Sequence, residues 1–472
     1  MTTRREFIIN SVMGAAAATL SSSLIAKGDQ IRNFSPASGN NPLADTPNHE
    51  LQMKGSYTDK GTIRFALEWP RQDLEHIWQA LLATEELQDI LGDDTLEICY
   101  SVNHEMLLAA VARGEPYDGV GDANTDCLMA AGVLQPIDDW VAQSQLIRAD
   151  DYLPQVWQRQ FYQGRQYSVP AFESCPFRYG FQYNARLVRA AGLDPDQPPQ
   201  TYGEAFAWHQ ALTRFDSQGR LIQLGLDPHD AMGGILHIAD GFYPAAAWGW
   251  DWYEPESRRL RLDCPEFIDQ IETTGRFFSH VGPDRLKAFR AVPGQEGWGN
   301  AFNAGTQAMI SEGYCNIGEF VHDSKEAPTD NRFSWMLVPD HRRGKRVQLI
   351  GGCDTVIFKG ARHAQKVFRL AEFLNTPTAC DIIYRLRGYL PARLSYLRQA
   401  DRALYPGIGF YLDCLQQATE VHVTRPCPAT RVLLVEWRRL RNLHHRGKLS
   451  AAAVARELQR IGDAALATTV GK

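Results

Sequence analysis

Two short stretches near the start of the main body of the chain alternate apolar and polar or small residues. Every second residue is apolar in Thr62–Trp69 and again from Leu96 to Val102, which predicts two strands. Apolar residues in Glu75–Leu91 follow helical spacing instead, and a helical segment, HEMLLAAVARG, comes after the second strand. Strand, helix, strand and helix in succession predict an α/β fold with a parallel sheet.

The later part of the chain carries further elements of the same kinds. VQLIGGCDTVIF predicts a strand and AQKVFRLAEFLN an amphipathic helix. Two more amphipathic helices are expected around Leu433–Leu443 and Ser450–Ile461, with Gly447 ending the first and Ser450 capping the second.

The N-terminus has the pattern of an export signal. Arg4 and Arg5 precede a weakly apolar stretch from Ile8 to Ala26, and the string TRREFI resembles a twin-arginine signal. We expect a signal peptide over 1–26 and a flexible tether, rich in Asn, Pro, Ser and Gly, over 27–60. An uncleaved membrane anchor stays open as the alternative, since about 19 residues could just span a bilayer.

Composition narrows the function classes. The chain has 472 residues, which is more than a single hydrophobic core usually accommodates, so two lobes are expected. A net charge of −6 gives no general attraction to nucleic acid. Nine cysteines without a CxxC pair give no zinc or redox pattern, and the adjacent His444 and His445 are interpreted as solvated side chains. No P-loop, dinucleotide fingerprint, HExxH or G-x-S-x-G occurs, so we predict no cofactor, no metal and no enzyme.

Four segments, in order, resemble the extracellular solute-binding proteins of ABC importers, specifically the family 1 group related to maltose-binding protein. They are GRQYSVPAFESCPFRYGFQYNARLVRAAGLDPDQPPQTYGEAFAW, FNAGTQAMISEGY, the run from Leu337 through Gly351-Gly352 to AEFLNTPTACDIIYRLRGYLPARLS, and RGKLSAAAVARELQRIG. Together they cover most of Tyr167–Gly462. The chain departs from the family at Cys315, with Tyr314 beside it, where the family usually has a tryptophan that can stack on a sugar ring.

The resemblance implies a two-lobed periplasmic-binding-protein type II fold, each lobe a mostly parallel sheet flanked by helices, with a hinge between them. It places one lobe at 60–175 plus 303–352 and the other at 177–302 plus 358–472, with crossings near Cys175–Phe177 and Cys353–Phe358. It also implies a periplasmic receptor, a monomer, that captures a sugar or oligosaccharide between the lobes and delivers it to ABC transporter permease subunits. The Tat translocase would be its partner during export.

Candidate ligand contacts are polar and aromatic residues at predicted strand ends, beside the crossings and in the aromatic segment GFYPAAAWGWDWY. They are Glu68, Trp69, Asp122, Asn124, Phe172, Glu173, Tyr243, Trp248, Trp250, Tyr314, Gly352 and Asp354. Aromatic faces pack on sugar C–H surfaces, and planar polar groups bind hydroxyls. Trp248, Trp250 and Trp252 would face one side of an extended segment, with Tyr243 and Trp248 the first choices for stacking. Ordinary core packing for the tryptophans, and caps or turns for the polar residues, are the alternatives.

Two other functions stay open. An exported enzyme acting on a polysaccharide would carry a carboxylate pair roughly 5–10 Å apart across the cleft. The same binding fold could instead take a polyamine, favoured by acidic cleft residues, or a phosphorylated compound, favoured by a helix N-terminus with arginine.

Overall fold

The computed structural model describes residues 61–123, 125–171, 180–228, 245–292, 300–312, 330–350, 354–423 and 427–470. The predicted signal over 1–26, the tether over 27–60 and the crossing at Cys175–Phe177 lie outside these ranges. Among the described residues, no helix combines the length and the apolar composition that a membrane span requires.

Sixteen strands are described. They are β1 (Thr62–Leu67), β2 (Thr95–Cys99), β3 (Gly119–Ala123), β4 (Phe161–Tyr162), β5 (Arg165–Gln166), β6 (Ser168–Pro170), β7 (Gly180–Asn184), β8 (Arg214–Phe215), β9 (Leu221–Gln223), β10 (Tyr253–Glu254), β11 (Arg259–Leu260), β12 (Met309–Glu312), β13 (Asn331–Ser334), β14 (Val347–Ile350), β15 (Asp354–Ile357) and β16 (Glu420–Val423).

Eighteen α-helices are described. They are α1 (Arg71–Leu82), α2 (Glu85–Leu91), α3 (His104–Arg113), α4 (Asp126–Ala130), α5 (Asp138–Gln143), α6 (Pro154–Arg159), α7 (Ala185–Ala190), α8 (Tyr202–Leu212), α9 (Ala245–Trp248), α10 (Pro265–Val281), α11 (Pro283–Arg290), α12 (Asn300–Asn303), α13 (Ala364–Leu374), α14 (Pro377–Arg387), α15 (Leu394–Leu397), α16 (Ile408–Gln417), α17 (Thr430–His445) and α18 (Ala451–Val470).

The first lobe is built on a five-stranded sheet in the order β2-β1-β3-β15-β6. β1 pairs in parallel with both β2 and β3, as the alternating strand and helix pattern predicts. β15 runs antiparallel to β3 and β6, so β6 points the same way as β1 to β3. Helix α1 buries Leu74, Ile77, Trp78 and Leu81, spaced to form one helix face against this sheet.

The second lobe has its own core around a three-stranded sheet in the order β12-β7-β13, with both outer strands antiparallel to β7. Helices α8, α10, α17 and α18 contribute its buried residues. A capping box begins α8, because Thr201 accepts from the Glu204 backbone N–H while the Glu204 carboxylate accepts from that of Thr201. The two largest apolar clusters, one around the five-stranded sheet and one around the three-stranded sheet, share no buried residue, which establishes a two-lobed α/β architecture.

The chain passes between the two cores three times, and this corrects the expected lobe boundaries. Residues 303–352 were expected in the first lobe, but β12 hydrogen-bonds along β7 and so belongs to the second. Residues 358–472 were expected in the second, but α13 and α14 pack in the first core. The chain returns to the second core only after α16, between 412 and 427.

Two elements join the lobes. β14 and β16 pair in parallel, from Val347 opposite Glu420 to Ile350 opposite Val423, at the second and third passages. Tyr411 of α16 lies in the first core, and its hydroxyl accepts from Gln182 Nε2 of β7 at 3.4 Å. Helix α16 therefore bridges the first core to the second-lobe sheet.

Candidate functional site

One edge of the first-lobe sheet gathers the polar residues expected there. Glu68 and Trp69 follow β1, Asp122 lies in β3, and Asp354 begins β15 opposite the end of β6. Because β15 runs against its neighbours, its first residue lies at the edge where those strands end. Ligands of open α/β sheets bind beyond this carboxyl edge.

Several expected contacts cannot be placed. Asn124, Phe172, Glu173, Tyr243, Tyr314 and Gly352 lie outside the described residues, and for Asp122 only the backbone is described. Of the expected contacts with described side chains, Glu68, Trp69 and Asp354 lie at the first-lobe edge, and Trp248 and Trp250 lie in the second lobe.

Asp354 is part of a buried ion pair. Its carboxylate binds the Arg159 guanidinium of α6, with the two side chains 1% and 3% exposed, and accepts from Thr125 Oγ1 at 3.3 Å. A charge so deeply buried is tolerated because it has an opposite charge and a hydrogen-bond donor. This placement corrects the expectation of direct ligand contact: Asp354 holds β15 against α6 beneath the sheet edge.

Trp69 also has a structural position. Its side chain is 7% exposed and packs in the first core, while its backbone oxygen accepts from the Ser101 N–H at 3.0 Å. The bond ties the segment after β1 to the segment after β2. Little ring surface is left for a ligand, contrary to the expectation for this residue.

Glu68 is the polar side chain of this edge that faces the other lobe. It is half-buried, and desolvation raises the pKa of its carboxyl to about 7, although the positive charge of Arg431 acts in the opposite direction. Arg431 belongs to the second lobe, because it lies in the first turn of α17, whose Leu433 packs in the second core. Glu68 and Arg431 are thus close enough to interact although they belong to different lobes.

Two further first-lobe residues face the same arginine. Glu105, in the first turn of α3, forms an ion pair with Arg431. His104 precedes it, and burial, helped by the charge of Arg431, lowers the pKa of its imidazole to about 4. We name Glu68, His104, Glu105 and Arg431 the interlobe charge cluster. It offers carboxylate acceptors, guanidinium donors and a neutral imidazole to a polar ligand.

Sequence reasoning missed three members of this cluster. His104 and Glu105 begin the helix after β2, and the start of a helix that follows a parallel strand lies at the carboxyl edge, so strand order was a usable signal. Arg431 had no such signal, because its position depends on how the second lobe faces the first.

The aromatic segment is packed inside the second lobe. Trp248 ends helix α9, is 3% exposed, and donates from Nε1 to Asp269 Oδ2 at 2.6 Å. Trp250 is 4% exposed, with its ring 5.5 Å from that of Phe267. The predicted extended segment with three tryptophans on one side is wrong because 245–248 is helical. Both side chains serve the core, which was the alternative interpretation.

The described side chains assemble no metal site. Within these ranges, no group of three or more His, Cys, Asp or Glu side chains is placed to hold an ion. His444 Nδ1 lies 2.9 Å from the Leu449 carbonyl oxygen, and the His445 ring stacks on Phe278 at 3.8 Å. These two histidines contact the segment after α17 and helix α10, respectively. The expectation that both are solvated side chains is therefore wrong.

Comparison with solved structures identifies the architecture. A structure titled CpMnBP1 with mannobiose bound matches with a TM-score of 0.72 and 16% identity over 85% of this chain and 99% of that one. The sugar-binding protein MalE from Xanthomonas citri matches at 0.64 and 20% identity, over 86% and 98%. MalE from Bdellovibrio bacteriovorus, bound to maltotriose, matches at 0.65 and 16%, over 86% and 100%.

Comparison of sequences gives the family. Curated protein sequences yield no significant match. The family described as bacterial extracellular solute-binding protein matches residues 98–407, which is well over half of the chain and spans segments of both lobes. This match places the chain in the family of bacterial extracellular solute-binding proteins.

Proposed function

We propose that this protein is an exported receptor that captures a sugar or oligosaccharide between its lobes and delivers it to an ABC importer. The observation that carries the proposal is the interlobe charge cluster. Glu68 and Glu105 of the first lobe meet Arg431 of the second at the carboxyl edge of the sheet. A ligand that enters here contacts both lobes, as a hinge-closing receptor requires.

A carbohydrate suits this chemistry. Carboxylates and guanidinium groups are planar and present paired acceptors or donors to vicinal hydroxyls. Several proteins with this fold were solved with sugars, mannobiose and maltotriose among them. A single arginine beside two carboxylates leaves a cluster of mixed sign, which favours a neutral ligand over a polyamine or a phosphorylated compound.

Export and partners complete the proposal. The arginine pair and weakly apolar stretch of residues 1–26 support twin-arginine export through the Tat translocase, with 27–60 as tether. The protein then acts as a monomer outside the cytoplasmic membrane. Its partners there are the solute and the permease subunits of the importer.

A thermal-shift screen of the mature protein tests the proposal. Mono- and oligosaccharides, polyamines and sugar phosphates are compared, since a ligand at a hundred times its dissociation constant adds about 2.7 kcal/mol of stability. We expect stabilisation by sugars alone. Glu68→Gln should weaken it, whereas Asp150→Asn, in an exposed ion pair with Arg148, should not. Stabilisation only by polyamines or phosphates would contradict the sugar assignment.

One observation favours an enzyme as the second candidate. A carboxyl with a pKa near 7, as burial gives Glu68, has the property of a general acid. Each sugar polymer in the screen is therefore also followed by chromatography for cleavage products. Unchanged sugar supports the receptor, and turnover that Glu68→Gln abolishes would overturn it.

A further inference from the structure

At the start of α17, the charged side chain of Arg431 contacts the first lobe from the second. Arg431 forms an ion pair with Glu105, and both side chains are about half exposed, at 53% and 52%. It also lies close enough to Glu68 and His104 to alter the pKa of each. Glu105 and His104 lie on α3, whose Leu107 packs in the first-lobe core, so the contact crosses between lobes.

A neighbouring contact joins the same faces of the lobes. Tyr162, in the first-lobe hairpin β4–β5, is close enough to Arg258 and Tyr253 of the second lobe for their charges to affect its pKa or for its own to affect theirs. Arg258 has a φ of 53°, a left-handed conformation that is uncommon for arginine. Cys427, just before α17, is near both tyrosines. The lobes therefore touch around the start of α17 through more than the charge cluster.

A partly exposed ion pair contributes little to global stability, but lobe opening is a different equilibrium. Open and closed forms of a hinged receptor differ by only a few kcal/mol, so a small contribution changes their populations. A pair of this exposure is expected to change the ratio of closed to open forms roughly two- to fivefold. Glu68 adds to the effect, because a half-buried carboxylate is stabilised by the nearby positive charge.

We propose that Arg431 is a positioning residue that holds the two lobes together in the absence of ligand, through its ion pair with Glu105 and its proximity to Glu68. The inference rests on the proposed receptor function for its meaning, since closure sets solute affinity. The apparent dissociation constant rises as the fraction of binding-competent protein falls. The contacts of Arg431 themselves are a property of the ligand-free protein, and their effect on lobe opening is measured without any solute.

The test is the interlobe distance in ligand-free protein. Fluorescent non-natural residues replace Asp89 on α2 and Arg456 on α18, both exposed, and small-angle scattering gives the radius of gyration. Arg431→Gln and Glu105→Gln should each raise the open fraction two- to fivefold, and the double variant no further than Arg431→Gln, which already removes the contacts to both Glu105 and Glu68. Arg439→Gln is the matched control on the same helix, because Arg439 pairs with Glu436 of its own helix.

Salt gives an independent readout that a purely structural role would not produce. Raising sodium chloride from about 50 to 500 mM should open the wild type and the Arg439→Gln control but leave Arg431→Gln unchanged. The exchange Glu105→Arg with Arg431→Glu should restore the wild-type distance only in part, because it rebuilds the ion pair but sets a second carboxylate near Glu68. Unchanged distances in Arg431→Gln, or additive effects in the double variant, would overturn the proposal.

These outcomes are separable from those of the sugar screen. A protein that binds no sugar can still show the distance changes, which would leave the positioning role intact and remove only the receptor assignment. If Arg431→Gln fails to fold, Glu105→Gln tests the same pair from the other lobe.

Discussion

Replacing Arg159 should leave the negative charge of Asp354 buried in the first lobe without the arginine that pairs with it. The side chains of Arg159 and Asp354 are 3% and 1% exposed. Asp354 is the first residue of β15 and lies at the carboxyl edge of the sheet. Arg159→Met keeps the volume of the side-chain stem but leaves the carboxylate without its cation. Breaking a buried pair in this way costs about 3–5 kcal/mol.

Urea unfolding measures the effect, followed by tryptophan fluorescence and far-UV circular dichroism. With a slope of about 3 kcal/mol per molar urea, the loss lowers the midpoint of the first-lobe transition by roughly 1–1.7 M. The matched control is Arg148→Met, which breaks an ion pair whose side chains are 61% and 66% exposed. That change should alter stability by less than about 1 kcal/mol.

A second variant separates charge from packing. Adding Asp354→Asn to Arg159→Met removes the buried carboxylate that lost its arginine, so the double variant should be more stable than Arg159→Met alone. Two results would show that the uncompensated Asp354 charge is not what destabilises the variant. One is unfolding of Arg159→Met at the urea concentration of the Arg148→Met control, and the other is a further loss of stability when Asp354→Asn is added.

Three further changes test other parts of the account by chemical denaturation. Burial raises the pKa of the Glu68 carboxyl to about 7, so the wild type loses stability as pH rises from about 4.5 through 7. Glu68→Gln should be roughly 3 kcal/mol more stable than wild type at pH 8, and a difference in stability that stays constant across pH would contradict this. Burial lowers the pKa of the His209 imidazole to about 3, so the free energy of unfolding falls on acidification below pH 6.5, by about 2 kcal/mol at pH 5. His209→Gln should reduce this dependence of stability on pH, and an unchanged dependence would contradict the prediction. Gly249 and Gly219 have the same φ of 75°, but a Cβ at Gly249 would collide with the Arg342 guanidinium and displace it from its ion pair with Glu420. Gly249→Ala should therefore cost up to about 1 kcal/mol more than Gly219→Ala, which has open space, and equal losses would argue against the collision.

Local patterns predicted the first-lobe elements closely because each depends on its own residues. The strand expected in Thr62–Trp69 is β1, and the helix in HEMLLAAVARG is α3, which Gly114 ends in a left-handed conformation. The one helix expected over Glu75–Leu91 is two, because Thr84 leaves the helical conformation and caps the second. The two C-terminal helices are confirmed, with Gly447 and Ser450 between them.

Long-range placement could not be predicted in the same way. VQLIGGCDTVIF forms two strands in different sheets, because β14 pairs with β16 and β15 with β3 and β6. Apolar periodicity tells which face of a strand is buried but not which sheet receives it. The same limit explains the misassigned lobe segments and the burial of Trp248 and Trp250 in the second core.

Of the interlobe charge cluster, only Glu68 was predicted from the sequence, for a related reason. Glu68 was found because it follows a parallel strand, and that rule is local. Arg431 meets it only after the chain has passed between the lobes three times. Asp354 obeyed the same rule as Glu68 but is neutralised by Arg159, a partner 195 positions away that no spacing indicates.

A crystal structure of the mature protein with the most stabilising sugar tests the central idea most directly. We predict electron density for an intact sugar beyond the ends of β1 and β3, with Glu68 on one side and α17 on the other. Sugar on an outer surface of either lobe, cleaved sugar, or both lobes packed with no space for a ligand would contradict it.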